Sequence, residues 1–217
     1  MTRTSAGLRT TRLLGIGFAV LFTVALSTLL LGDLIGAFAD AAATFATHVD
    51  SSGELWQHAV GALLLCGSGL VFMGFVAGVS DSLSRLGSGD PWPGTRSARA
   101  VATVFAAQAG VAAAALATVS LSVGFGRITG DPGIQEARHV LPQLGYVVLF
   151  VPAALTAGLA VVLLARSASR GSALPGWVVV AGYVAGAAQL AGILTLPLLL
   201  LPLWVLLASL TLRRPSD

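Results

Sequence analysis

Lysine is absent from this 217-residue chain, and all twelve basic residues are arginine. Beside abundant alanine and glycine, that pattern is the one GC-rich codon usage produces, and it carries no mechanism. Charge of either sign is scarce: 10% of residues are charged and 56% hydrophobic, with a mean hydropathy of +0.89. Such values lie far from those of soluble domains, so the solvent for most of the chain is lipid. The formal net charge is only +3 and the arginines are scattered, which gives no nucleic-acid footprint.

Cysteine is nearly absent too. The one cysteine, Cys66, lies inside an apolar segment, which excludes an intramolecular disulfide and any multi-cysteine metal or iron–sulfur site. It reads as a small packing residue. Ionisable residues are missing from the middle of every apolar run, where they would mark proton relays or ion pathways. That argues against a pump built on a buried carboxylate and leaves a facilitator for a neutral solute open. The deepest polar side chains are Gln108 and Gln189, with Thr156 and Ser68 behind them, and interhelical hydrogen bonding is their expected role.

What the sequence does have is long apolar runs. A hydrocarbon core about 30 Å thick needs about 20 apolar residues per helix, and runs of that kind fall at 13–32, 57–80, 98–122, 144–165, 175–194 and 196–212. The last two are nearly continuous. About 38 helical residues would reach roughly 57 Å, nearly two bilayer thicknesses, so a hairpin is expected at Thr195-Leu196-Pro197, with Pro197 opening the new helix. An all-α, polytopic membrane protein of six transmembrane helices follows, with residues 1–217 as a single integral membrane domain.

Cytoplasmic flanks carry an excess of arginine and lysine. Arg3, Arg9, Arg12, Arg85, Arg96, Arg99, Arg166, Arg170, Arg213 and Arg214 fall on one side of a six-span arrangement, and only Arg127 and Arg138 on the other. This bias puts both termini in the cytoplasm. The start also resembles a signal peptide, with Ala37-Phe38-Ala39 as a cleavage-like triplet, but its apolar stretch of about 19 residues exceeds the usual 7–15. An uncleaved first span is expected.

Between spans, DLIGAFADAAATFATHVD (33–50) places Leu34, Ile35, Phe38, Ala41, Phe45 and Val49 on one helical face and Asp33, Asp40, Thr44 and Thr47 on the other. It reads as an amphipathic helix in the outer interface after the first span. DSLSRLGSGDPWPGTRSAR (81–99) reads as a cytoplasmic loop; its Gly87-Ser88-Gly89 lacks the lysine and preceding strand of a phosphate loop. Asp131-Pro132 starts a helix running into the fourth span, in which Pro142 and Pro152 predict kinks. Gly74-x-x-x-Gly78, Gly182-x-x-x-Gly186 and the alanines of 106–117 supply close helix contacts.

Chemistry, if present, concentrates outside. All three histidines, His48, His58 and His139, and six of nine acids, Asp33, Asp40, Asp50, Glu54, Asp131 and Glu136, fall on the predicted outer side. Glu54 and His58 are four apart, one helical face if a helix starts by residue 53. With His48 or His139 a three-ligand zinc site is geometrically conceivable, but the spacing is no metal motif; no metal or cofactor is assigned, and an interfacial collar is the plainer reading.

The arginine-flanked first span, DPGIQEARHVLPQLGYVVLF, ALPGWVVVAGYVAG and LLLLPLWVLLASLTLRR together resemble uncharacterised multi-pass membrane proteins of actinobacteria, of the domain-of-unknown-function type. The resemblance implies a bacterial cell (inner) membrane location and no established activity. Three readings stand: an accessory or interaction protein with the bilayer, a lipid or another membrane protein as partner; a membrane enzyme on an isoprenoid or other lipid, with Asp33, Asp40 or Glu54 as general acid and His58 beside it; or a small-solute permeation protein. Whether the chain is an enzyme is left undecided.

Overall fold

In lipid, backbone N–H and C=O groups have no water to pair with, so long apolar runs are satisfied as helices. The computed structural model describes residues 2–37, 52–86, 93–124, 132–171, 173–191 and 195–212, with no strand among them. The helices are α1 (Thr2–Ala37), α2 (Ser52–Leu86), α3 (Pro93–Gly124), α4 (Pro132–Val148), α5 (Ala154–Gly171), α6 (Gly176–Ala191) and α7 (Thr195–Thr211), with a π-helical turn, Leu149–Ala153, joining α4 to α5. Four stretches are long and apolar enough to cross a membrane: Gly7–Leu30, Trp56–Ser84, Gly94–Thr118 and Val140–Arg170. Gly176–Leu190 and Leu198–Thr211 are apolar but shorter; fifteen helical residues rise about 23 Å, short of a hydrocarbon core about 30 Å thick.

The helices outrun the apolar runs. α1 continues unbroken to Ala37, so Asp33, Leu34 and Ile35 extend the first helix instead of opening a separate amphipathic one; nothing between Leu31 and Ala37 is a stronger breaker than Gly32 or Gly36. Residues 38–50, with Asp40 and His48, lie outside the described residues. The expected loop at 81–99 is also mostly helix, since α2 runs to Leu86 and α3 begins at Pro93. Ser82 and Ser84 stay helical by donating back to the carbonyls of Gly78 and Ser80, and Pro93 opens α3 where a missing N–H costs nothing. Gly87-Ser88-Gly89 and Trp92 are outside the described residues. Pro132 starts α4 as expected, and Pro142 is carried within it. At Pro152 the ladder widens into the π turn, one way of relieving the clash between a proline ring and the preceding carbonyls. α7 begins at Thr195, so Pro197 stands in its first turn and not at its first position; Pro202 lies within the helix.

Successive helices pack antiparallel. Gly78 faces Thr11 and Gly61 faces Leu29 (α2 on α1); Gly69 faces Ala106, and Arg99 bonds Asp81 (α3 on α2); Thr156 bonds Gln108, and Gly94 faces Ser167 (α5 on α3). Gly182 faces Ala165 (α6 on α5), and the Trp204 indole donates to the Val178 carbonyl at 3.0 Å (α7 on α6). The ring then closes: Gly15 faces Ser209, and the Arg12 guanidinium donates to the Leu212 carbonyl at 2.7 Å. A cation on the carbonyl just past the end of α7 complements the helix dipole and stabilises by about 0.3–1 kcal/mol.

Inside this ring, Phe18 and Phe22 of α1, Phe72 of α2 and Phe105 of α3 are fully buried. Phe18 lies 5.2 Å from Phe22 and 5.0 Å from Phe72, and Phe72 meets Phe105 edge-on at 5.0 Å. Leu149, Leu164, Leu198 and Leu201 fill the opposite side and belong to the same core. Lipid tails are as apolar as these side chains, so close contact and ring geometry, rather than removal from water, hold the core together.

Candidate functional site

The outer carboxylate group predicted from sequence is only partly brought into view. Because α2 starts at Ser52, Glu54 and His58 do lie on one helix at the i, i+4 spacing that shares a face. His58 is partly exposed on the second turn, beside exposed Trp56 and Gln57. Asp33 lies in the last turns of α1, at the same end of the bundle, because the two helices run antiparallel. The side chains of Asp33, Glu54 and His139 and all of Asp40 and His48 are outside the described residues. Among the described residues no group of three His, Cys, Asp or Glu side chains could hold a metal ion.

The deep polar residues are not alike. Thr156 donates to Gln108 Oε1 at 2.6 Å, joining α5 to α3 just past the π turn, and also lies 3.0 Å from the carbonyls of Pro152 and Ala153. Those carbonyls are the i−4 and i−3 acceptors to which a threonine hydroxyl bonds back along its own helix, so with one proton the hydroxyl shares itself between them and the link to α3. Gln189 of α6 is 1% exposed, and among the described residues neither its Nε2 nor its Oε1 has a partner. Its Cβ packs at Gly158, where α5 and α6 approach backbone to backbone: a Cβ on Gly158 would fall 2.9 Å from the Gly186 carbonyl oxygen. Thr156 and Gly158 are two residues apart, about 200° around α5. The two glutamines therefore lie against opposite flanks of that helix and form no shared site.

The most accessible chemistry is at the arginine end. Arg9, Arg96, Arg166 and Arg170 are exposed there, and Arg12 and Arg99 are half-buried and bonded. Arg99 of α3 reaches α2, donating to Asp81 Oδ1 at 2.5 Å and to the Ala77 carbonyl at 3.2 Å. With side chains 42% and 59% exposed, this pair adds little stability. It stands instead over a cleft between α1 and α2, lined by Gly7, Leu8, Thr11, Leu14, Gly74 and Asp81 among others, with a volume of about 370 Å³. The two glycines of Gly74-x-x-x-Gly78 border this cleft: Gly78 packs against Thr11, whose hydroxyl donates to the Gly7 carbonyl at 3.0 Å, and Gly74 lies against Leu14.

Sequence reasoning looked to the outer end and missed this one. The available signal was Asp81, just past the end of one apolar run, and Arg99, of opposite charge, at the start of the next. No protein-family model, curated protein or solved structure matches the chain.

Proposed function

We propose that the chain is a six-span protein of the bacterial inner membrane with an accessory, lipid-associated role, its arginine end and both termini in the cytoplasm. The observation that carries this reading is the filled interior. Four phenylalanine rings close the α1–α3 side of the ring and four leucines the other, while the deep glutamines lie on opposite flanks of α5. A permeation path needs a continuous polar lining, and a lipid-modifying enzyme needs an enclosed cavity beside its acid. The described interior supplies packing instead. α6 and α7 complete the six spans if they sit obliquely or in a locally thinned bilayer, each at modest cost.

Two measurements test this. Reporters of periplasmic location fused within 125–131 should be active and those fused after Asp217 inactive; the reverse overturns the orientation. After a hyperosmotic challenge with glycerol or urea, proteoliposomes carrying the chain should re-swell no faster than empty vesicles in stopped-flow light scattering, and faster re-swelling overturns the accessory reading.

A further inference from the structure

The cleft at the arginine end joins three features that fit a single chemistry. Its lining is largely apolar, with Leu8, Leu14, Gly74 and Ala77 beside the side chains of Thr10, Thr11 and Ser82. Its rim carries a carboxylate, Asp81, and the guanidinium of Arg99 is bonded to both Asp81 and Ala77 of its wall. Neither group is spent: a carboxylate has about four lone-pair sites and a guanidinium five N–H donors, and both side chains are substantially exposed. The cleft opens where the four long apolar helices end and arginines gather, the level at which lipid headgroups sit.

An apolar slot beside a carboxylate and a guanidinium is complementary to a zwitterion on an aliphatic tail. The volume of about 370 Å³ lies in the range of small-molecule sites, about 300–1,000 Å³. That accommodates a headgroup and the start of a chain, with the remaining acyl length in the bilayer. We propose that this cleft binds a phospholipid with a primary ammonium headgroup, the chemistry of phosphatidylethanolamine. The ammonium donates to Asp81, the phosphate accepts from Arg99, and the glycerol and first methylenes lie along Leu8, Leu14 and Gly74. A quaternary ammonium has no N–H to offer the carboxylate, and an anionic headgroup would meet Asp81 as a like charge. The proposal rests on reading the chain as membrane-embedded and lipid-associated, and names the lipid.

The test uses the full chain in detergent, with phosphatidylethanolamine, phosphatidylcholine or phosphatidylglycerol of matched acyl chains added, read by native mass spectrometry and thermal unfolding. Phosphatidylethanolamine should bind one copy per chain, with about tenfold preference over the other two, the worth of one charge-assisted hydrogen bond, and should raise the unfolding temperature. Asp81→Asn should erase the preference. Gly7→Trp provides the second variant: Gly7 lines the cleft and a Cβ there meets nothing within 4 Å, so the side chain starts without a clash, and the indole should abolish binding while leaving lipid-free stability unchanged. Equal binding of all three lipids, preference for phosphatidylglycerol, or undiminished binding by Gly7→Trp overturns the proposal. The topology reporters decide the parent reading separately, since they are indifferent to which lipid fills the cleft.

Discussion

Two helix crossings in this protein use glycine pairs at the same spacing and arrive at opposite results. Where α5 meets α6, Gly158 and Gly186 bring backbone against backbone: a Cβ on Gly186 would fall 2.8 Å from the Gly158 carbonyl oxygen and 2.5 Å from Val162. Where α1 meets α2, Gly78 and Gly74 face only the side chains of Thr11 and Leu14, and a Cβ on Gly7 would meet nothing within 4 Å. The first crossing is closed partly by backbone, the second by side chains alone. Small-x-x-x-small spacing permits close approach, but what stands opposite decides whether it makes a seam or a cleft.

The strongest way to break this contrast is Gly186→Ala. Its methyl would meet a carbonyl and a β-branched side chain, so the expected loss is about 2–3 kcal/mol, typical of overpacking that forces backbone movement, measured by reversible unfolding in mixed micelles. Gly78→Ala, at the α1–α2 crossing, should cost less, about 1–2 kcal/mol, because the Thr11 side chain and no backbone atom has to give; equal losses at the two positions would remove the distinction.

Next is Trp204→Phe, which keeps a ring but deletes the indole N–H that α7 donates to Val178. It should lose about 0.5–1.5 kcal/mol, the net worth of one hydrogen bond, since the Val178 carbonyl keeps its partner within the helix. An opposite sign is expected nearby: Gln189→Leu replaces an amide with two unpaired buried atoms by an apolar side chain of similar size, and should gain about 1 kcal/mol. A loss there would show that the amide is paired in the folded protein after all. The smallest effect belongs to Arg12→Gln, which removes the charge over the Leu212 carbonyl and should cost about 0.3–1 kcal/mol, less at high salt.

How much of this was legible beforehand differs element by element. The helical class and the four long apolar helices follow from run length, and Pro132 was readable as a helix start because proline suits that position. Helix ends were misjudged where Ser82, Ser84 and Asp33 look like loop formers. Hydropathy reports where lipid is, whereas a helix continues as long as its backbone groups and serine hydroxyls stay paired. Pro152 signalled a disturbance, but a π turn and a kink are alternative answers to the same clash, chosen by what packs around them.

The candidate site was less legible. Glu54 and His58 share a helix as their spacing implied, but attention to unusual residue types at one end drew the eye from Asp81 and Arg99, ordinary residues eighteen apart whose meeting depends on the α2–α3 crossing.

By itself, then, the sequence determined the long apolar runs, the helical class and the asymmetry of charge between the two ends, since each depends on composition and on periods along one chain. Only the tertiary structure decided that the helices close into a ring through Gly15, Ser209 and Arg12, that Gln108 is paired while Gln189 is not, and that one glycine pair seals a crossing while the other borders a cleft. Those outcomes turn on which atom of a distant helix stands opposite, within a few tenths of an ångström, and no local pattern encodes that distance.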